Sequence, residues 1–203
     1  RVWDLYMQNF AAHRIAPIDP MALAPYTLEL AGGSPWEGPG RVVAGVDGVP
    51  EGERCLHIVD DSATAVAAQD YRPAIPANPG TEYRLEWSVR TGEPGQRYSV
   101  TLNTYDQAGQ WISGHNIDFT ETGSGEWQRV QHLIDDRLDA RARFVRIVLR
   151  PTPWTEQGEH TGEAWFDDIV FGALNEANAV EDGGFERIYT PDDVEVQLDF
   201  TAF

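Results

Sequence analysis

The chain carries 33 acidic residues and five histidines, groups that could move protons or hold metals, so their spacing decides what they can do. Cys55 and His57 stand two residues apart and share one face of any strand, as a nucleophile and its base would. No third group is placed to orient them and no oxyanion loop is recognisable. The histidines at 13, 57, 115, 132 and 160 show neither His-x-His nor His-Glu-x-x-His spacing. Asp167 and Asp168 are adjacent, so on a regular strand they point to opposite faces and reach one cation together only across a bulge. A different set is more suggestive. Arg90, Asn103, Tyr105, Arg146 and Arg150 fall at the polar positions of alternating stretches, with Glu86 beside them, while Trp111, His115 and Trp154 lie in turn-rich segments that could border that face. An exposed loop tryptophan is costly without a use, so Trp111 and Trp154 mark a surface that could stack against a ligand.

The elements that must position these residues follow from periodicity. Residues 2–15 place Trp3, Tyr6, Met7, Phe10 and Ala11 at steps of three and four, which predicts one short amphipathic helix. Pro17, Pro20 and Pro25 forbid its continuation. From about Thr27 to Phe171 the period becomes two. Tyr83, Leu85, Trp87 and Val89 alternate with polar residues, as do Tyr98, Val100 and Leu102, and Val145, Ile147 and Leu149. Residues 53–60, 126–134 and 163–171 are further strand candidates, in which Trp87 and Trp165 are expected in the core and Trp127 in a structural place. Turn signals separate them at Asn78-Pro79-Gly80, Gly92 to Gly95, Ala108-Gly109 and Gly123-Ser124-Gly125. Many short strands with no helix between them predict an all-β, antiparallel β-sandwich. Residues 172–190 read as loop, and Val194, Val196, Leu198 and Phe200 form a last alternation.

Composition bounds the partners. The 203 residues, 41% hydrophobic and 24% charged, suit one folded domain with flanking segments. All 15 basic residues are arginine, and against the 33 acids they leave a formal charge of −18, which disfavours nucleic acid and anionic membrane surfaces as partners. The single Cys55 rules out an internal disulfide and any Cys-x-x-Cys metal site. The chain opens on Arg1 and stops at Phe203 inside an apolar alternation, so both ends read as cut from a longer protein.

Four stretches together resemble the carbohydrate-binding modules of the galactose-binding-like jelly-roll type, found appended to secreted polysaccharide-degrading enzymes. Glu29 followed by Trp36 resembles their Phe-Glu…Trp opening, although Leu28 stands where they prefer Phe. Pro79-Gly80 followed by Tyr83 and Leu85 resembles a strand entry of that type. Trp127 with Val130, and Trp165-Phe166-Asp167-Asp168-Ile169, resemble two later strands. The flanks are similar to parts of a glycoside-hydrolase-like domain, through Asn9, His13-Arg14-Ile15 and Pro17, and through residues 194–203.

These resemblances imply an organisation and a function. Residues 1–26 would be a helix and connector of a flanking, catalytic domain, 27–175 the binding module, and 176–203 a linker and terminal strand. The module would be non-catalytic and would hold a polysaccharide or oligosaccharide near an attached glycoside hydrolase; the alternative is a structural spacer with no ligand. Its ligand set would come from Arg90, Asn103, Tyr105, Trp111, His115, Arg146, Arg150 and Trp154. Structural Ca²⁺ would be held by Glu29 and Asp168; the alternative is that one aspartate caps a turn or pairs with an arginine while the other is solvated. Secretion or a periplasmic location is what the resemblance implies.

Overall fold

Alternation of apolar and polar residues is realised as two layers of strands. The structure, a computed structural model, describes residues 30–31, 34–62, 65–135, 137–154, 160–187 and 195–196. The helix expected over residues 2–15 and the calcium candidate Glu29 lie outside them; among the described residues there is no α-helix.

The chain forms two units, and the larger, Ser34–Ile188, holds the sandwich. In the smaller unit β1 (Leu30–Ala31) pairs antiparallel with β13 (Glu195–Val196). In the sandwich, one sheet has five strands in the order β10 (Gln128–Ile134), β7 (Tyr83–Thr91), β12 (Gly162–Ala173), β4 (Arg54–Asp60) and β3 (Arg41–Ala44). The other runs β2 (Trp36–Glu37), β5 (Gln69–Tyr71), β11 (Phe144–Arg150), β8 (Arg97–Tyr105) and β9 (Ile117–Thr122), with β6 (Ile75–Pro76) also on β11. All pairings are antiparallel. Six strands thus fall on stretches the alternation marks; β9 and the short β2, β3, β5 and β6 join them. The expected turns are tight enough to need glycine, with Gly80 at φ 79° and Gly109 at φ 72°.

The core lies between the layers. Leu85, Trp87, Val89, Phe166 and Phe171 face Tyr98, Val100, Leu102, Val145, Ile147 and Leu149, and every one of these is buried. Inside that apolar layer the Trp87 indole N–H donates to the Tyr98 hydroxyl at 3.2 Å, joining a strand of one sheet to a strand of the other. Segment 174–187 closes one end. Val180 and Phe185 enter the core, and the Trp36 indole donates to the Asp182 carbonyl at 3.2 Å.

One strand departs from the expected phase. The register of β12 against β7 slips between Asp167 and Val170, and Asp168 takes a left-handed φ of 51°. This β-bulge inserts one residue, so Ala164, Phe166, Ile169 and Phe171 all face inward while Trp165 does not. Trp165 is therefore not a core residue. It stands half-buried on the outer face of the five-stranded sheet, its ring parallel to His57 at 4.4 Å, with the Arg90 guanidinium 5.5 Å from its centroid. Trp87 is in the core as expected.

Candidate functional site

The two outer faces are finished differently. On the five-stranded sheet the β3–β4 connection, residues 45–53, folds across the surface. The Trp127 indole donates to the Asp47 carbonyl at 3.1 Å and the Glu51 backbone N–H donates to the Asp167 carboxylate at 2.9 Å. Cys55 and Asp167 are consequently fully buried. Burial, reinforced by the Asp167 charge, pushes the Cys55 thiol up to about 12, which makes it a poor nucleophile. The His57 ring is engaged by Glu163 at 2.9 Å. The Cys55–His57 pair thus has no catalytic arrangement.

The outer face of the six-stranded sheet carries the polar positions of β8, β9 and β11, and register orders them into rows. Ser99 stands between Arg150 and Thr120, Thr101 between Val148 and Asp118, and Asn103 beside Arg146. The Val148 row continues through Asp70 to Glu37. At one end Tyr105 pairs with Phe144 and, by an isolated bridge, with Trp111. Directly opposed residues share a face, so Trp111 belongs to this surface. Its indole donates to the Asn116 side chain at 2.9 Å, which fixes the ring while leaving it 53% exposed. At the other end Trp154, 57% exposed, lies against the Arg150 guanidinium, which is 5.6 Å from its ring. Ser99 and Tyr105 are six residues apart on β8, so the strip between the two tryptophan ends is about 20 Å long.

The strip is held by its own polar contacts, and some of its groups have none. Arg150 donates to the Thr101 hydroxyl at 2.7 Å, and Thr101 donates to the Asp118 carboxylate at 2.6 Å. The Arg146 guanidinium lies 5.0 Å from the Tyr105 ring centroid. The Nε atoms of Arg146 and Arg150 and the Ser99 hydroxyl are buried without a hydrogen-bond partner. Burial pushes the Arg150 guanidinium down, countered by Asp118 and Asp70. Burial likewise pushes the Asp70 carboxyl up, countered by Arg150 and Arg72. Such a surface, with flat rings at its ends and fixed donors and acceptors between them, can stack on and hydrogen-bond an uncharged, hydroxyl-rich ligand.

Of the eight ligand candidates, the structure brings six to this face: Asn103, Tyr105, Trp111, Arg146, Arg150 and Trp154. Arg90 does not belong with them. It lies on β7, in the other sheet, against Trp165, because the strand alternation assigns a residue to a face but not to a layer. Glu86 is on the same strand β7 and pairs with Arg129 at 2.6 Å. The His115 ring is tied to Asp139 at 3.1 Å, in the β10–β11 connection. The strip also contains Asp70, Ser99, Thr101 and Asp118, which sequence reasoning did not single out. Ser99 and Thr101 were visible as the outer partners of Val100 and Leu102; Asp70 sits on a three-residue strand too short to show a period.

Calcium is a matter of donor sets. Asp168 does not fit the part, since its carboxylate is engaged by the Arg129 guanidinium, which already offsets its charge. Asp167 suits a cation better, because its Oδ1 is buried without a partner. Burial pushes its carboxyl up to about 7, countered by the N–H donors of Glu51 and Asp168. Among the described residues, no group of three or more His, Cys, Asp or Glu side chains converges to hold a metal. A hollow of about 870 Å³ opens elsewhere, at the sandwich end beside Asp60, Gln96 and Glu163. There the Thr152 hydroxyl donates to Asp60 at 2.6 Å and Gln96 bridges the carbonyls of Pro151 and Glu163.

The sequence matches no protein-family model and no curated protein. Solved structures do resemble the fold. The CBM22-2 xylan-binding domain of Paenibacillus barcinonensis Xyn10C matches with a TM-score of 0.51 at 16% identity, over 70% of this chain and 94% of that one. The enzymatically active domain of bacteriophage CBA120 tailspike protein 4 matches with a TM-score of 0.53 at 11% identity, over 70% of this chain. This chain spans 20% of the tailspike's length. A family 16 carbohydrate-binding module matches at a TM-score of 0.46 and 14% identity, over 68% of this chain and 89% of that one. The β-sandwich thus resembles in fold the xylan-binding module and part of the tailspike domain.

Proposed function

We propose that the outer face of the six-stranded sheet binds a glycan chain, and that the sandwich is a non-catalytic module that keeps this chain beside an attached hydrolase domain. The observation that carries this reading is the pair of half-exposed tryptophans, Trp111 and Trp154, at the two ends of one polar strip on the outer face of the six-stranded sheet. The xylan binding of the Paenibacillus module, which shares the fold, supports the same class of ligand. Tethering raises the effective concentration of substrate at the neighbouring domain. Hydroxyls exchange water for protein with small net gain, so Kd should lie on the order of micromolar to millimolar. Affinity electrophoresis of the whole chain in gels containing neutral polysaccharides tests it. Retardation by at least one supports the reading; no retardation by any favours a spacer.

We further propose that a structural calcium, if this strand helps to hold one, uses Asp167 rather than Asp168. Hard carboxylate oxygens suit Ca²⁺, and the free Oδ1 of Asp167 is the described atom on β12 that lacks a donor. A melting temperature lowered by EDTA in the wild type, but not in Asp167→Asn, is the expected result. An unchanged melting temperature in EDTA removes the ion.

A further inference from the structure

Asp70 is unlike the other charged groups of the strip. Among the described residues its half-buried carboxylate has no hydrogen-bond donor and no ion-pair partner at contact distance, and the cations that act on it from further off are Arg150, Arg72 and Arg146. It stands in the row Glu37–Asp70–Val148, and the rows on either side carry Arg146 and Arg150. Those two arginines sit four residues apart on one face of β11, about 13 Å along the strand. Neither guanidinium is paired with a carboxylate. Arg150 is satisfied in part by a neutral hydroxyl, and Arg146 rests on an aromatic ring. Glu37 is accounted for by Arg72 at 2.8 Å. The strip therefore holds two unpaired cations with one unpaired anion between them, and Asp118 beyond.

Removing that central anion would leave a pair of open guanidiniums, whose planar forks match carboxylates. With it in place, a carboxylate on the ligand would face a like charge at short range, while a pair of sugar hydroxyls would find an acceptor with both oxygens open. Specificity can be built by such repulsion as well as by attraction. Resting on the glycan reading above, we infer that Asp70 is a specificity-determining residue: it accepts hydroxyls of uncharged sugars and turns uronate-bearing glycans away from Arg146 and Arg150.

The test uses the whole chain and four polymers: xylan, β-1,4-galactan, polygalacturonate, and polygalacturonate fully converted to its methyl ester. Titration calorimetry reads affinity for each, in wild type, in Asp70→Asn, and in Glu126→Gln. The last makes the same charge change at an exposed position off the strip. The wild type should bind a neutral polymer at least tenfold more tightly than polygalacturonate. Asp70→Asn should weaken the neutral polymer about tenfold or more and strengthen polygalacturonate, while Glu126→Gln leaves both within twofold. Equal binding of acid and neutral polymers by the wild type overturns the inference, as does an Asp70→Asn protein indistinguishable from wild type; either leaves the glycan reading standing. Should Asp70→Asn not fold, Asp70→Ser takes its place and is read against Glu126→Gln in the same way, because the whole-chain charge of −18 makes salt dependence alone uninformative about one carboxylate. If none of the four polymers binds, the glycan reading itself falls, and this inference with it.

Discussion

Trp154→Ala is the perturbation whose size follows most directly from the structure. The ring is 57% exposed, with the Arg150 guanidinium against it. A tryptophan side chain offers up to about 250 Å², so about 140 Å² is open to a ligand, and a sugar on one ring face would cover about half of that. At about 25 cal/mol per Å² this is about 1.8 kcal/mol. The expected weakening is about twentyfold in Kd. Stability should hardly move, because the residue is largely in solvent and the contact with Arg150 is worth about 1 kcal/mol at most. The assay is calorimetric titration with whichever polysaccharide retards the wild type, together with thermal melts of both proteins. A variant that melts like the wild type and binds within twofold of it would refute the stacking argument, and Trp154 would then be a bystander. Loss of binding together with a collapse in melting temperature would refute it equally, by showing that the ring serves the fold.

Other expectations follow from contacts away from the rings. Thr101→Val strips Arg150 and Asp118 of their shared hydroxyl and should cost about 1–3 kcal/mol in urea unfolding, with weaker glycan binding; a neutral result there would mean the relay contributes nothing. Tyr98→Phe leaves the buried Trp87 indole N–H unpaired, and should destabilise by a similar amount, about 1–3 kcal/mol. The double variant with Trp87→Phe should lose less than the two single losses added together. Alkali should unfold the protein early. Burial raises Cys55 from 9.0 and Tyr98 from 10.0, each to about 12, so both resist ionisation in the fold but not in the unfolded chain. Their stabilising effect is complete below pH 9 and disappears as pH climbs toward 12, and Cys55→Ala should flatten the first part of that decline. Native Cys55 should also resist thiol reagents until the protein is unfolded; rapid labelling of the native state would contradict its burial.

Much of the sandwich was legible because burial on one side leaves an alternating trace. Tyr83, Leu85, Trp87 and Val89, and the matching positions of β8 and β11, face the core as their spacing requires. The polar partners of the same strands supplied most of the strip. Legibility failed where period two is broken or undersampled. An unbroken count through residues 163–171 puts Trp165, Asp167, Ile169 and Phe171 on one face, and the bulge at Asp167–Asp168 resets that count. That is why Trp165 reads as core; Asp168 enters as a calcium ligand through the resemblance, which says nothing of the bulge. Arg90 was misassigned for another reason: alternation separates inner from outer but cannot tell which of two layers a strand joins. Asp70 lies on a strand of three residues, and nothing local betrays the company it keeps.

The indole-to-phenol tie between Trp87 and Tyr98 has a consequence for recognition. Tyr98 points inward from the same strand that displays Ser99, Thr101, Asn103 and Tyr105 outward. Pinning that strand from beneath opposes sliding of one layer over the other, so the rows a sugar would meet are set before it arrives. A receptor shaped in advance spends little of its contact energy on ordering itself. Loosening the interior at this one point should thus be felt on the opposite side of the sheet, as a slackened grip.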